Sequence, residues 1–494
     1  MNAEPDNPTV GTAPRRWSKR LILWAAVLIL ANVLADVVIG SPLMVMPQLL
    51  DRFDTDQAAW LNAGAMLAGA IWSPLLAKSS DVFGKRRILV GTLLLACAGA
   101  VVCLAAPTLW AFLIGRFLQG AAFAAVFLTV ALVRQICAPQ VAMALVGLLT
   151  SGASVVGIVE PFVMKPVIDE FGYQSVFVVA AVLAATAAVC VRCFVPESPI
   201  RTAARIDVAG ALLLGGGLGA VLAYVSLGQA VGWLDGRMIA LLAAGAGALA
   251  WWAFSALRVD EPIIDIRALH RPMLLTLLAL LLAAGSFRSM LQLTSVVAQV
   301  PAERGLGYGL GNGEAIAILL AAPNLGIVVG GVCAGWLAGR SSGPALPLFG
   351  GIALGAVATF TMLVGVAILP LAIICAAMLG VAAGAISASG YNLAVDIAAP
   401  EQHGTIAGLV SVMLALGSVV FNFAGGEVLK ATQLPGTATA GAPVSTALGV
   451  HLYVVMAGAL FALAAIPAIS LARSRSVRRG ELVDGATGRD LLPG

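Results

Sequence analysis

The stretch Ala77-Lys78-Ser79-Ser80-Asp81-Val82-Phe83-Gly84-Lys85-Arg86-Arg87 is polar and basic, and it is hemmed on both sides by apolar runs at 58–77 and 88–106. Each run has about the 20 apolar residues that a helix needs to cross the hydrocarbon core. Within that core only a helix or a closed barrel satisfies its own backbone polar groups. Barrel strands are shorter and alternate in polarity, whereas these runs are continuously apolar. The stretch therefore reads as a short loop joining two transmembrane helices.

The same alternation of apolar run and polar break extends outward in both directions. Spans are expected at about 21–48, 58–77, 88–106, 108–135, 141–168, 174–194, 207–228, 237–257, 272–300, 313–338, 346–368, 370–397, 404–429 and 449–471. With 60% hydrophobic and 11% charged residues over 494 positions, an ordinary soluble domain is excluded. The fold class is an all-α polytopic membrane protein of fourteen spans. The first apolar run is too long for a signal-peptide core, so an uncleaved first span is expected.

Basic residues give the orientation. Placing both termini in the cytoplasm puts the Lys and Arg residues of 15–20, 78–87, 134, 192–205, 258–271, 340 and 473–489 on one side, and only Arg52, Arg237, Arg304 and Lys430 on the other. That asymmetry is what the positive-inside rule expects. The net charge of +4 thus reports topology; no basic patch interleaves with stacking aromatics, so nucleic acid is not an expected partner.

Two polar breaks organise the chain. One, 195–206, carries Pro196, Pro199, Arg201 and Arg205 and follows six spans; the second, 257–272, carries Asp260, Glu261, Asp265, Arg267 and Arg271 and follows two more. The resulting division is an N-terminal tail (1–20), a six-helix bundle (21–194), linkers with two inserted helices (195–271; helices about 207–228 and 237–257), a second six-helix bundle (272–471) and a C-terminal tail (472–494). Secondary transporters are often built from such repeated halves around a midplane site. Gly210, Gly215 and Gly219 on the first inserted helix suit close packing against a neighbour.

The 77–87 stretch resembles the signature loop of the major facilitator superfamily, roughly G-x-x-x-D-R-x-G-R-R: Asp81, Gly84, Lys85 and Arg86 fit, while Ala77 and Val82 depart from it. Arg116-Phe117-Leu118-Gln119-Gly120 in span four resembles that family's R-x-x-q-G motif, and Glu261-Pro262 with Asp265 resembles the stretch before the second bundle in its fourteen-span drug:proton antiporters. The resemblance implies the major facilitator fold, two six-helix bundles plus two extra helices, in a bacterial inner membrane. It also implies that Asp81, Gly84, Lys85 and Arg86 form a conformational latch, and that Arg116 takes part in proton coupling. Span five departs from the family's G-x-x-x-G-P-x-x-G-G pattern: Pro161 is present, but Val156, Glu160, Met164 and Lys165 stand in the glycine places.

Ionisable groups inside spans are expensive and normally face a cavity or a partner. Asp36 sits near the middle of span one, where a carboxylate poorly reached by water favours its neutral form and suits proton pick-up and release. Arg116 and Glu160 each lie about eight residues, ~12 Å, from the same membrane face, and their pairing is expected. Asp36, Arg116 and Glu160 are the coupling candidates. Gln119, Lys165, Arg288, Gln292, Asn324 and Asn392 are candidates to line a substrate cavity. Gly335-Trp336-Leu337-Ala338-Gly339-Arg340 looks like a degenerate second copy of the signature loop, with Gly339 where the Asp would stand.

The sequence holds no G-x-x-x-x-G-K-[ST] phosphate loop and no H-E-x-x-H or G-x-S-x-G motif, and Cys190 and Cys193 form a lone CxxC. The expectation is a monomeric, non-enzymatic exporter of small hydrophobic or amphipathic compounds. It would be driven by the proton gradient without a cofactor and would have the bilayer, protons and substrate as its partners. A proton-coupled importer on the same fold and a non-transporting receptor or scaffold remain alternatives.

Overall fold

The computed structural model describes residues 18–54, 58–298, 300, 305–310, 313–434 and 445–489; Arg304, expected on the sparsely charged side, lies outside them. The chain is helical almost throughout. The first bundle comprises α1 (Lys19–Met44), α2 (Met46–Phe53), α3 (Ala58–Phe83), α4 (Lys85–Ala105), α5 (Leu109–Gln119), α6 (Ala124–Ile136), α7 (Pro139–Gly152), α8 (Ser154–Phe171) and α9 (Gln174–Phe194). Two helices follow, α10 (Val208–Val231) and α11 (Gly236–Ala256). The second bundle comprises α12 (Arg271–Ala298), α13 (Gly313–Leu337), α14 (Ala345–Gly365), α15 (Leu369–Ile397), α16 (His403–Ala431) and α17 (Ala447–Arg489). Among the described residues, thirteen helical stretches are long and apolar enough to cross a membrane. α3 is the fourteenth helix of that length, 26 residues, and ends in the polar residues Lys78, Ser79, Ser80 and Asp81. The chain is a multi-pass membrane protein.

Capping residues mark where the helices begin. Thr108 accepts from Ala111 N at 3.3 Å to open α5, Asp207 accepts from Gly210 N at 2.7 Å to open α10, and Asp235 accepts from Arg237 N at 2.8 Å to open α11. Each side chain satisfies one of the orphan amides of a first turn.

Four segments differ from the sequence reading. Span one stops at Met44, and the residues up to Phe53 form the separate helix α2, opened by Pro47 in its first turn, a position proline tolerates. Span four contains a tighter turn of 3-10 helix over Gly120–Phe123, between α5 and α6. Span five breaks at Ala153, between α7 and α8, while α8 runs unbroken through Pro161 and Pro166. The last helix continues beyond its span to Arg489, into the stretch expected to be only a polar tail.

Within the first bundle α4 packs on α9 and α5, and α1 on α9 and α8; within the second, α13 and α14 pack on α15, and α12 on α16 and α17. α10 lies against α3, where a Cβ at Gly215 would meet the Ile71 backbone oxygen at 2.5 Å. The bundles meet along α3–α16, α6–α16, α7–α13, α7–α15 and α8–α13. These seams position the site.

Candidate functional site

At the membrane face carrying most of the basic loops, the two bundles are tied together by polar bonds. Asp81, at the end of α3 and buried, accepts from Gly404 N, Thr405 N and Thr405 Oγ1, each at 2.8 Å. A carboxylate there satisfies first-turn amides of α16 and faces the positive end of its dipole. Lys85 Nζ pairs with Asp81 Oδ1 at 2.9 Å, and both side chains are almost fully enclosed. A buried charge of either sign is costly alone; here the ammonium, the carboxylate and the helix terminus compensate one another. The expected latch residues thus converge, but the helix that Asp81 caps belongs to the other bundle.

Gly84 lies between α3 and α4 with φ +105°, a conformation that glycine adopts readily, and a Cβ there would meet Glu197 Oε1 at 2.9 Å. Glu197 in turn accepts from Arg86 N at 2.9 Å and Arg87 N at 3.1 Å, and Ser198 Oγ accepts from Lys85 N at 3.0 Å. The first turn of α4 is therefore capped from the 195–206 linker. Arg86 reaches the same linker, donating to the Val195 carbonyl at 3.0 Å with its Nε 3.7 Å from Glu197. Sequence reasoning missed Glu197; an acid followed by Ser198, just after six spans and facing a Lys-Arg-Arg loop, was the available signal.

Two further bonds cross the same face. Arg134 Nη2 pairs with Asp396 Oδ1 at 3.1 Å, and Gln135 donates to the Pro400 carbonyl at 2.7 Å. On the α7–α13 seam glycines bring backbone close to backbone. A Cβ at Gly147 would strike the Gly331 carbonyl, and a Cβ at Gly339 would sit 2.6 Å from the Gln140 carbonyl. Gly339 thus marks a backbone approach in the second copy of the loop, where the first copy has its acid.

Deeper in the membrane, the groups chosen from sequence separate into two sets with different partners on α1. Arg116 is buried and donates from Nη1 to the Val38 carbonyl at 2.8 Å and to Gln119 Oε1 at 3.0 Å. That carbonyl is free because its i+4 residue is Pro42, inside α1, which has no N–H to offer. Glu160 accepts from Ser41 Oγ, and its carboxylate lies so close to Gly40 that a Cβ there would meet Oε2 at 2.8 Å. Gly40 is one turn from Asp36 on the same helix face, ~6 Å along the axis. The expected Arg116–Glu160 pair is not formed: Arg116 is taken up by the Val38 carbonyl and Gln119, and Glu160 by Ser41.

Asp36 and Glu160 are instead close enough to repel, and the cation acting on Asp36 is Arg288 of the second bundle. Asp36 is half-buried, and Arg288, although well inside α12, is exposed. Gln292, one turn on, is half-buried, and its Oε1 has no hydrogen-bond partner. Asp36 of the first bundle thus has a guanidinium of the second as its counter-charge, with Glu160 beside it on its own bundle. This arrangement can hold an ionic ligand or exchange a proton. Of the remaining cavity candidates, Lys165 is exposed and Asn324 is half-buried beside Gly157 at the α8–α13 seam. Gln119 and Asn392 are buried: Gln119 holds Arg116, and Asn392 Nδ2 donates across the bundles to the Met143 carbonyl at 3.1 Å.

Comparison with known proteins agrees with this architecture. The chain is 29% identical over 427 residues to a protein named multidrug resistance protein B homolog of Mycobacterium tuberculosis, covering 82% of this chain and 76% of that one. It is 26% identical over 312 residues to a uridine/deoxyuridine transporter of Lactococcus lactis subsp. cremoris, covering 61% and 64% of the two. Among solved structures it superposes on the human organic anion transporter MFSD10 with a TM-score of 0.63 at 16% identity, covering 92% of this chain and 100% of that one. The outward conformation of FucP gives 0.60 at 14%, covering 92% and 99%; at these identities the likeness concerns the fold. The sequence profile of the Major Facilitator Superfamily matches residues 28–422, and the chain belongs to that superfamily of membrane transporters, which are not enzymes.

Proposed function

We propose that the protein is a proton-coupled secondary transporter that exports small hydrophobic or amphipathic compounds, and that the basic face is cytoplasmic. The observation that carries this reading is the facing of Asp36, with Glu160 beside it, by Arg288 across the two bundles. Protonating a carboxylate removes its attraction for the guanidinium and so loosens one bundle from the other at mid-membrane. Extruded compound and proton would compete for this cluster. The state described here is closed on the cytoplasmic side by the Asp81 latch; release of α16 from Asp81 would open that side. Arg116, held on the carbonyl freed by Pro42, positions α1 and with it Asp36. No cofactor is needed, since the proton gradient supplies the driving force. The naming of relatives as multidrug resistance proteins supports the export direction.

A second reading, uptake by proton symport, draws on Glu160 standing where antiporters of this superfamily usually carry glycine. Flux under an imposed pH gradient separates the two. Export should disappear when the gradient is collapsed, whereas gradient-driven accumulation would establish symport. In a resistance and efflux panel, Asp36→Asn should abolish transport, and Glu160→Gln should shift its pH dependence. Unchanged transport and pH profile in Glu160→Gln would remove Glu160 from the mechanism.

A further inference from the structure

A cavity of about 470 Å³ lies where the inserted helices α10 and α11 lean over the seam between the bundles; its walls include Leu214, Trp252, Leu274, Leu278, Thr405 and Val412. The size falls within the ~300–1,000 Å³ typical of small-molecule sites. Its lining is apolar almost throughout, so a water cluster is a poor occupant.

Two observations say what fits. Leu274 and Leu278 are wall residues and also about half exposed on the outer surface of α12, at 51% and 47%. That surface faces lipid in a membrane-spanning bundle, so the mouth opens sideways into the bilayer. Trp252 supplies the second observation: its indole N–H is buried and has no acceptor. A buried indole N–H normally finds a partner, and a pure hydrocarbon offers none. An acyl ester offers both, a hydrocarbon chain for the cavity and a carbonyl for the indole. The end of the membrane is fixed by Thr405, which also donates to Asp81, so the leaflet concerned is the one at the basic face.

We propose that this cavity is a binding site for one acyl chain of a glycerophospholipid from that leaflet, with an ester carbonyl accepting from Trp252 Nε1. The site is separate from the Asp36–Glu160–Arg288 cluster and does not depend on the transport reading.

The test is photolabelling of the purified protein, reconstituted with a glycerophospholipid bearing a diazirine on its acyl chain, with adducts located by peptide mass spectrometry. Adducts are expected on the wall residues of α10, α12 and α16. Val412→Trp, which fills the cavity, and Leu274→Trp, which blocks its mouth, should each remove those adducts. Labelling at exposed lipid-facing positions such as Val182 and Ile374 should not change in either variant. Trp252→Phe should weaken retention by about fivefold, the loss of one hydrogen bond. Melting curves confirm that each variant is folded; if one is not, the other carries the test. Wall labelling no stronger than at Val182 and Ile374, or unaffected in a folded filling variant, would overturn the proposal. So would dose-dependent displacement of the wall adducts by a transported hydrophobic dye, which would assign the cavity to the substrate path.

Discussion

Two seams close the same face of the molecule by different physics. Between α3 and α16 a buried ion pair sits on a helix terminus, with Asp81 receiving three hydrogen bonds from the opposite bundle. Between α7 and α13 the glycines Gly147 and Gly331 bring backbone against backbone, with the small Ser151 side chain beside them. The first kind of contact is discrete: it is either made or broken, and breaking it leaves charges without partners. The second is a smooth surface along which helices can slide or rock without losing a bond. A transporter that exposes its site to one side at a time needs both, a latch to define the closed state and a bearing that permits leaving it.

The largest effect should come from breaking the latch. Asp81→Ala strands Lys85 in the interior and uncaps α16, and loss of one partner of a buried pair costs about 3–5 kcal/mol. The variant should melt well below the parent and lose transport. Adding Lys85→Met should recover part of that stability, because an apolar side chain replaces the uncompensated charge. No recovery in the double variant would mean that the pair itself is not what holds the seam.

A smaller but more specific effect is expected at the bearing. In Gly331→Leu the new side chain meets Ser151 and Gly147, and overpacking of this kind costs about 1–3 kcal/mol. The helices should be held apart and the basic face partly open. Cys137, between the helices of spans four and five, reports on this. Burial pushes its thiol up to about 12, so near neutral pH it is protonated and unreactive. Opening should bring it back toward the ordinary thiol range and raise its thiolate fraction. Maleimide labelling at Cys137, with the exposed Cys193 and Cys333 replaced by serine, should therefore rise. An unchanged rate would show that the glycine seam does not gate this face.

The smallest effect belongs to Arg134→Gln. It removes a pair open to water on one side only, with Asp396 32% and Arg134 6% exposed. Such a pair lies nearer the ~0–1 kcal/mol of exposed pairs than the cost of a fully buried one, so transport should fall by less than about fivefold.

The sequence made the helices legible because an apolar run surrounded by charges has few other solutions in a membrane. It made the latch loop legible for the same reason: Asp81 and Lys85 stand out at the end of a span. The partner of Asp81 was not readable, since Thr405 lies 324 residues away and no local pattern connects them. Arg116 and Glu160 teach a related lesson. Position along a span gives depth in the membrane but says nothing of azimuth, and two groups at equal height bond different partners on α1. Pro42 was the missed clue, because an in-helix proline implies a free carbonyl four residues earlier. Arg288 stood out as an intramembrane charge, but only the docking of the two bundles brings it to Asp36.

The central claim is that Asp36, facing Arg288, exchanges a proton during transport. The direct measurement is pH change in sealed liposomes holding the purified protein when a gradient of a compound from the efflux panel is imposed. The parent protein should move protons opposite to the compound, and Asp36→Asn should match empty liposomes. Substrate-driven proton movement that persists in folded Asp36→Asn would contradict the account.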